Sequence, residues 1–408
     1  MSRLKIRSVL LVAGVILGPV RAAHADGPAP SFCSSQLALV QQYLGPIPSV
    51  GMMIVTFKLG EVFPCFFNSG EIELGSGQAP DADTIFELAS VTKVFTTAIL
   101  AMRAQQGLNV YAPVKKKFLP PGYSLQMAEQ DVTFQQLATF TGGFSWSQPP
   151  GYTTGASYPQ EEFETQVNLL IPTNSIPGET NSLPTLNKYS NGSVGFLGQI
   201  LMYMDLSKDT FGAKEFSNWI SANLTGPLGM NATAVDPGGT RAKGYKYTLS
   251  SDPNIYPYTR EPPFPWEPWG AAGGLRSNIN DMLIFLKANI CAHHQNSPYC
   301  AGFPKNILDA LWLAHQPNDY FPSGALLLDK TIYIGNGPGE QAWAWGYLPP
   351  PVSTSNGTAI ISKNGGHPGF SSFIGFDPDK GYGLVVLMNT HQKALAAAGK
   401  NIIQATPK

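Results

Sequence analysis

Two pairs of β-rich segments lie near opposite ends of the chain, and they constrain its fold more than any other feature. The first pair is "GMMIVTFKLGEVFPCFF", which turns at residues 58–61. The second pair is "SSFIGFDPDKGYGLVVLMNT", which turns at residues 379–381. Two β-rich runs around a short turn containing Gly are typical of an antiparallel hairpin. Strands near both ends of the chain therefore favour an antiparallel sheet.

The remaining patterns are mostly helical. Helices are predicted over residues 34–44, from Ser90 to about residue 106, in "VTFQQLATF", "SVGFLGQILMYM" and "EFSNWISANL", after a cap at Ser277, and over about residues 392–404. This order predicts an α+β fold, with helices on the faces of the sheet and an inserted helical lobe. We expect residues 26–108 and 240–408 to form a discontinuous α/β lobe and residues 109–239 the mostly helical lobe.

The first 25 residues have the pattern of a secretory signal peptide. Basic residues precede the apolar run at residues 9–17, and Ala23-His24-Ala25 fits a cleavage site. The run is too short to span a membrane. We therefore expect export without an integral membrane segment, to a bacterial periplasm or the exterior.

Composition excludes two classes of function. Hydrophobic residues make up 43% of the chain and charged residues only 13%, which excludes a disordered protein. Removal of residues 1–25 removes four basic residues and no acidic ones, so the remainder is mildly acidic and unsuited to binding nucleic acid.

Four cysteines in an exported chain indicate two disulfides, with three possible pairings. Proximity along the chain favours Cys33 with Cys65 and Cys291 with Cys300. The alternative is that one or more is a buried free thiol. Two histidines lie between the last two cysteines, but no spacing there is typical of a metal site, and we expect no metal and no cofactor.

The candidate chemistry begins at "FELASVTKVFTT", which holds the only S-x-x-K in the chain. Ser90 and Lys93 lie three residues apart at the start of a predicted helix and so share a face. A partly desolvated amine has a lowered pKa and can accept the proton of a serine. The simpler interpretation is an N-cap serine with a solvent-facing lysine.

Two further motifs favour the catalytic interpretation. Tyr189 and Asn191 form the only Y-x-N in the chain. Lys363 and Gly365 form a K-x-G where a strand is expected, and the other K-x-G, at Lys58, lies in a predicted hairpin turn. The chain lacks G-x-S-x-G and H-E-x-x-H, which argues against a nucleophile-elbow hydrolase and a zinc protease.

The order S-x-x-K, Y-x-N, K-x-G resembles the penicillin-recognising serine hydrolases, above all class C β-lactamases and the related DD-peptidases and esterases. "LATFTGG", "GPLGM" and "AAGGLRSNINDM" are also similar to that family. The resemblance implies a β-lactamase/transpeptidase-like fold, with an antiparallel sheet flanked by N- and C-terminal helices. It also implies an active site between the two lobes.

The resemblance implies a role for each motif residue. Ser90 would be the nucleophile, and Lys93 and Tyr189 the base system, with either accepting the first proton. The charges of Lys93 and Lys363 are expected to lower the pKa of Tyr189. The oxyanion hole would consist of the backbone N–H groups of Ser90 and Gly366.

Substrate contacts are expected from a further set of residues: Gln148, Asn191, Asn364, Gly365 and Gln392. Two of these depart from the family pattern. Asn364 stands where the family usually has Thr or Ser, and Gln392 stands where it has Asn; both positions belong to carboxylate recognition. An equally good interpretation of Gln148 is a surface glutamine of a loop.

These observations predict an exported serine hydrolase that forms an acyl-Ser90 intermediate, is a monomer and uses no cofactor. The substrate would be a small molecule or a peptide, not a nucleic acid. We rank hydrolysis of β-lactams first, a D-Ala-D-Ala carboxypeptidase or endopeptidase second and an esterase third. The alternative of another class is a penicillin-binding sensor that acylates without turnover.

Overall fold

The computed structural model describes residues 20–22, 31–61, 63–115, 118, 126–127, 130–142, 189–207, 212–249, 257–263, 270–316, 332–333, 338–348 and 359–408. The predicted lobe boundaries stay a prediction, because much of the segment between residues 109 and 239 lies outside these ranges.

An antiparallel sheet dominates the fold, with nine strands in the described ranges. They are β1 (Arg21–Ala22), β2 (Gly51–Lys58), β3 (Cys65–Gly70), β10 (Ile332–Tyr333), β11 (Pro338–Gln341), β12 (Gly346–Leu348), β13 (Ile360–His367), β14 (Phe370–Asp377) and β15 (Tyr382–Met388). Their order across the sheet is β1-β3-β2-β15-β14-β13-β12-β11-β10. The predicted hairpins, β2–β3 and β14–β15, are joined by direct pairing of β2 with β15. The expectation of an antiparallel α+β fold is confirmed.

Three two-stranded sheets lie outside the main sheet. They pair β4 (Phe86–Glu87) with β9 (Arg276–Ser277), β5 (Gln126–Met127) with β6 (Gln130–Asp131), and β7 (Tyr245–Tyr247) with β8 (Tyr258–Arg260). The first of these matters for the site, because β4 leads directly into the segment that carries Ser90.

The helices in the described ranges are α1 (Ser31–Tyr43), α2 (Thr92–Gln105), α3 (Phe134–Ala138), α4 (Asn191–Leu206), α5 (Ala213–Ile220), α6 (Gly270–Gly273), α7 (Ile279–Cys291), α8 (Lys305–Ala314) and α9 (Leu395–Ala405). Among them, α1 and α9 pack against one face of the main sheet and α7 against the other. Alternate residues of β15 face opposite layers. Leu384 and Val386 share a core with α1 and α9, whereas Val385 and Leu387 share one with α2 and α7. Burial on both faces explains the continuous apolar run of this strand.

Local signals set several helix boundaries. Thr133 caps α3 through a capping box with Gln136, as its position before an apolar run suggests. At α7 the expected cap is wrong by one residue, because Asn278 accepts from the Asp281 N–H, while Ser277 belongs to β9. An Asn with an extended backbone serves as well as Ser at this position, and pairing of β9 with β4 holds Ser277 in the sheet.

Both disulfides have the pairing expected from sequence proximity. Cys33 is joined to Cys65, which ties α1 to β3, and Cys291 is joined to Cys300 at the end of α7. The bridges close loops of 32 and 9 residues. The first bridge therefore removes more freedom from the unfolded chain in the loop-entropy account.

The edge strand β1 falls inside the segment predicted to be a signal peptide. Arg21 and Ala22 pair with Asn68 and Phe67 of β3. Cleavage after Ala25 would remove this strand and leave β3 at the edge of the sheet. No helix in the described ranges is long and apolar enough to cross a bilayer.

Candidate active site

Ser90 lies in a tight turn between β4 and α2. Ala89, directly before it, has a φ of 47°, a left-handed conformation that costs an L-residue about 1–2 kcal/mol. A short 3-10 helix, Ala89–Val91, then leads into α2. The turn is anchored at Leu88, whose carbonyl accepts from Ser372 Oγ at 2.6 Å. The result is a serine held at a fixed point with 9% of its surface exposed.

Lys93 follows one turn later and is completely buried. Its Nζ lies 3.1 Å from Ser90 Oγ. The same Nζ donates to Asn191 Oδ1 at 2.7 Å and to the Ala272 carbonyl at 2.6 Å. The solvent-facing interpretation of Lys93 is therefore wrong, because packing of α2 against α4 and α6 encloses the side chain.

Tyr189 and Asn191 stand at the start of α4. Ser190 has an extended backbone and accepts from the Ser193 N–H, so the helix begins at Asn191. The ring of Tyr189 packs against Phe140 with 4.8 Å between centroids. Its hydroxyl forms a side-chain hydrogen bond with Ser90. The helix start thus brings both residues of the Y-x-N motif to the serine.

Lys363 reaches the same point from β13. It is 5% exposed, and its Nζ donates to the Asn364 carbonyl at 2.9 Å. The Nζ lies 4.9 Å from the centroid of the Tyr189 ring, and Lys93 Nζ lies 5.0 Å from it. The structure therefore brings together the four residues that the sequence predicts to be catalytic. The other K-x-G, at Lys58, lies at the hairpin turn between β2 and β3.

Burial is the largest cause of the pKa shifts of Lys93 and Lys363. Burial, and then the nearby Lys363, lower the pKa of Lys93 well below its usual value. Burial, and to a smaller extent Lys400, lower the pKa of Lys363 to about 7. Neither lysine forms an ion pair with any of the residues described, so no opposite charge among them offsets the loss of hydration.

The pKa of Tyr189 moves in the direction opposite to expectation. Burial raises it above the usual value for a phenol, and the hydrogen bond with Ser90 only partly opposes this. Sequence reasoning assumed two charged lysines beside the ring. Burial disfavours the charged form of all three groups, and at Tyr189 this effect outweighs the help that the lysines were expected to give the phenolate.

The backbone of β13 passes very close to the serine turn. A Cβ on Gly365 would lie 2.2 Å from the Leu88 carbonyl oxygen and 3.0 Å from Ser90 N, so only glycine fits here. Gly366, which follows, is exposed. This close approach places the segment that carries the Gly366 N–H beside the segment that carries the Ser90 N–H.

The outward face of β13 presents a residue that sequence reasoning missed. Asn364 and Gly366 are exposed and alternate with buried neighbours, so they share this face. A Cβ on Gly366 would lie 2.9 Å from His391 Cε1, which shows that the His391 ring fills the space beside this glycine. Its only sequence signal was its place just after β15.

Gln392 does not make the contacts that its expected role suggests. Its side-chain amide donates to the Pro48 carbonyl at 2.8 Å, and its backbone N–H donates to Ser371 Oγ. Its substrate-binding role therefore stays a prediction. Gln148 lies outside the described residues.

A second buried charged group lies beside the first. Glu87 Oε2 and His367 Nε2 are 2.7 Å apart, and Glu87 Oε1 accepts from Arg276 Nη2 at 3.1 Å. Burial tends to raise the pKa of Glu87, but His367 and Arg276 together lower it below its usual value. None of these three residues was predicted, because each is unremarkable in its own stretch of sequence.

A cavity of about 460 Å³ opens next to this second group. Glu87, Arg276 and Phe370 contribute to its walls, whereas Ser90 does not. Within the described part of the chain, no three His, Cys, Asp or Glu side chains are grouped so that they could hold a metal ion.

A family model and several known proteins resemble this chain over most of its length. The family model described as Beta-lactamase matches residues 65–406. A beta-lactamase of Yersinia enterocolitica is 24% identical over 87% of this chain and 86% of its own length. The D-alanyl-D-alanine-carboxypeptidase/endopeptidase AmpH of Escherichia coli is 22% identical over 94% of this chain and 91% of its own. The solved beta-lactamase/D-alanine carboxypeptidase of Pseudomonas syringae superposes with a TM-score of 0.65 at 20% identity, covering 93% of this chain and 99% of the other.

Proposed function

The chain belongs to the beta-lactamase family and is a serine hydrolase, and from this premise we propose that it hydrolyses amide bonds through an acyl-Ser90 intermediate, with β-lactams as its substrates. The observation that carries the proposal is the environment of Lys93 Nζ. Nζ lies 3.1 Å from Ser90 Oγ, within reach of the serine proton. Asn191 Oδ1 and the Ala272 carbonyl accept from the same Nζ and hold it at this position.

Acylation follows from this arrangement. Ser90 Oγ attacks the carbonyl carbon of the substrate while its proton passes to Lys93 Nζ. The negative charge that develops on the carbonyl oxygen is stabilised by the N–H groups of Ser90 and Gly366, each worth about 2.7–4 kcal/mol in a comparable hydrolase. The leaving nitrogen then takes a proton from the Lys93–Tyr189 pair. A lowered pKa at Lys93 supports its choice as the first base over Tyr189.

Deacylation requires a water molecule and a base on the acyl-enzyme. Tyr189 hydrogen-bonds to Ser90 and lies between two lysine amines, so it is the group best placed to direct a proton from that water. Because Lys93, Tyr189 and Lys363 interact this closely, they titrate as one coupled set. The hydrolase therefore needs no cofactor.

A D-Ala-D-Ala carboxypeptidase or endopeptidase is the second candidate. The AmpH relative supports it, because the match covers 94% of this chain. Asn364, on the exposed face of β13, replaces the hydroxyl expected for recognition of a substrate carboxylate, which β-lactams and D-Ala-D-Ala peptides both carry. For either substrate we propose export, on the strength of the predicted signal peptide at residues 1–25, and action as a monomer in the periplasm or outside the cell.

The test is acylation and turnover in the Ser90→Ala variant. The unaltered protein should hydrolyse a chromogenic cephalosporin faster than a D-Ala-D-Ala peptide, and mass spectrometry should find one penicillin adduct, on the peptide that contains Ser90. Ser90→Ala should abolish both. Ser35→Ala, at an exposed serine of α1, is the matched control and should change neither. Turnover that survives in Ser90→Ala contradicts the mechanism, and faster peptide cleavage makes the second candidate the function.

A further inference from the structure

We infer that the buried Glu87–His367 ion pair is a positioning device that holds the two N–H groups of the oxyanion hole in register. The inference rests on the proposed function, since it takes the backbone N–H groups of Ser90 and Gly366 to be that hole. Neither Glu87 nor His367 takes part in the proton transfers described above.

The pair joins the two chain segments that must stay together. Glu87 lies on β4, three residues before Ser90, and His367 directly follows Gly366 at the end of β13. Only 2.7 Å separates Nε2 from Oε2, and the two side chains are 3% and 7% exposed. A displacement of one segment relative to the other would stretch this contact before it opened the oxyanion hole.

Arg276 fixes the orientation of the carboxylate. Its Nη2 and Nε donate to Glu87 Oε1 at 3.1 and 3.3 Å, while Oε2 faces His367. The backbone of Arg276 also pairs with Glu87, because β9 and β4 form a ladder. One carboxylate oxygen therefore accepts from Arg276 and the other lies against His367, and rotation of the group would break one contact or the other.

The β13 segment needs such an anchor because it contains two consecutive glycines. Gly365 must lack a side chain to approach Leu88 and Ser90, and glycine leaves the backbone more freedom than any other residue. Lys363 holds the strand before this pair of glycines, and its amine is itself part of the reaction. His367 is the first side chain after them, and its partner Glu87 belongs to the serine segment.

The left-handed backbone at Ala89 gives the Glu87–His367 contact a second role, in the segment that carries Ser90. The left-handed Ala89 lies between Glu87 and Ser90, so the direction of the Ser90 N–H depends on a conformation that is maintained from outside. The Leu88 carbonyl is held by Ser372 Oγ, and Glu87 is held by His367. Both restraints come from β13 and β14, the strands that flank the other half of the oxyanion hole.

The experiment is the Glu87→Gln variant of the full chain, assayed with the substrate that the unaltered protein hydrolyses best. Because an oxyanion hole acts on the transition state, kcat should fall by about 10-fold to 100-fold while KM changes by less than about 2-fold. Affinity for a boronic acid, which places an oxygen in the hole, should fall in parallel with kcat/KM. Glu73→Gln is the matched control, since Glu73 forms an exposed ion pair with Arg260, and it should leave all three quantities unchanged.

Two variants of His367 separate positioning from stability. His367→Gln keeps a donor for Glu87 and should retain most of kcat, whereas His367→Leu should lose as much as Glu87→Gln. A purely structural role would lower the unfolding temperature of these variants without changing kcat in the folded protein, and that result would overturn the inference. If instead Ser90→Ala retains turnover, the proposed function fails, and the Glu87 result cannot be mistaken for that failure.

Discussion

Two clusters of buried ionisable side chains lie where the segment around Ser90 meets β13. They differ in whether an opposite charge is present. In the first, Lys93 and Lys363 stand beside the Ser90 hydroxyl, and neither has a carboxylate partner among the described residues. In the second, Glu87 lies between His367 and Arg276. The environments are about equally buried, so the presence or absence of an opposite charge decides how each group behaves.

The difference shows what burial does to an ionisable group. Burial penalises the charged form of Glu87 as well, yet the pKa of Glu87 falls because His367 and Arg276 together outweigh that penalty. Without a partner, Lys93 and Lys363 lose affinity for their protons instead. One group is therefore suited to fixing a backbone, and the other to accepting a proton near neutral pH.

The largest effect is expected when a carboxylate is placed beside Lys93, because the two clusters would then no longer differ in this respect. Asn191→Asp places one about 2.7 Å from Lys93 Nζ if the side chain keeps its position. An opposite charge this close favours the protonated amine. We expect kcat/KM at neutral pH to fall by about 10²–10⁴-fold, the usual contribution of a general base, with partial recovery as the pH rises.

Two controls accompany this variant. Asn191→Ala removes the amide without adding charge and should lose less activity, with no recovery at high pH. Asn109→Asp makes the same chemical change in an exposed turn and should have no effect. Equal losses in Asn191→Asp and Asn191→Ala, with the same pH profile, would show that the charge of Lys93 is not what matters.

The pH dependence of substrate binding tests whether the charge of Lys363 has a function. Its pKa in the folded protein is about 7, so it is charged below that pH and neutral above it. Attraction to a substrate carboxylate is therefore present in acid and lost as pH rises through 7. We expect KM for a carboxylate-bearing substrate to rise about 10-fold from pH 6 to pH 8, the worth of one charged hydrogen bond, while KM for a neutral ester stays constant.

Lys363→Arg supplies the control, because arginine stays charged throughout this range. It should flatten the dependence of KM on pH. The lowered pKa of Lys363 in the unaltered protein also affects stability. Between pH 7 and the usual lysine pKa the unfolded chain binds the extra proton, so the free energy of unfolding should rise with pH in that window. A KM that is constant with pH in the unaltered protein would contradict a functional charge at Lys363.

The smallest effect is expected at Asn364, on the face of β13 that points away from both groups. Asn364→Thr restores the hydroxyl that the family usually carries. One neutral hydrogen bond would lower KM for carboxylate-bearing substrates by about threefold, with kcat unchanged and neutral esters unaffected. Steady-state kinetics on a matched acid and ester measure this. A uniform loss on both substrates would show that Asn364 supports the strand instead.

Sequence patterns predicted the parts of the fold that depend on local chemistry. Gly381 is the last residue of the turn between β14 and β15 and has a φ of 59°, in agreement with the turn predicted at Asp379-Lys380-Gly381. Both disulfides were likewise accessible from proximity along the chain, and helix α4 was predicted, although it begins two residues earlier than the predicted run. The α7 cap was missed because Ser277 and Asn278 are equally good caps, and only pairing with β4 chooses between them.

The candidate site likewise has parts that the sequence predicts and parts that it does not. Ser90 and Lys93 carry a spacing that predicts a shared helix face, and the order of motifs indicated Tyr189 and Lys363. The contact of His367 with Glu87 depends on how β13 and β4 meet across the fold, which no local pattern encodes. The direction of the Tyr189 pKa shift was missed for a related reason, because sequence shows which groups are neighbours but not how deeply they are buried.

The pairing of β2 with β15 also orders events in time. During synthesis, the segment with Ser90 and Lys93 leaves the ribosome well before β13 and β15. Contacts so distant along the chain form slowly, and they form only after these two strands are available. A nascent or truncated polypeptide thus carries a nucleophile without Lys363 or Gly366. We infer that hydrolytic competence arrives in one late step, which keeps the chain latent while it is still being made.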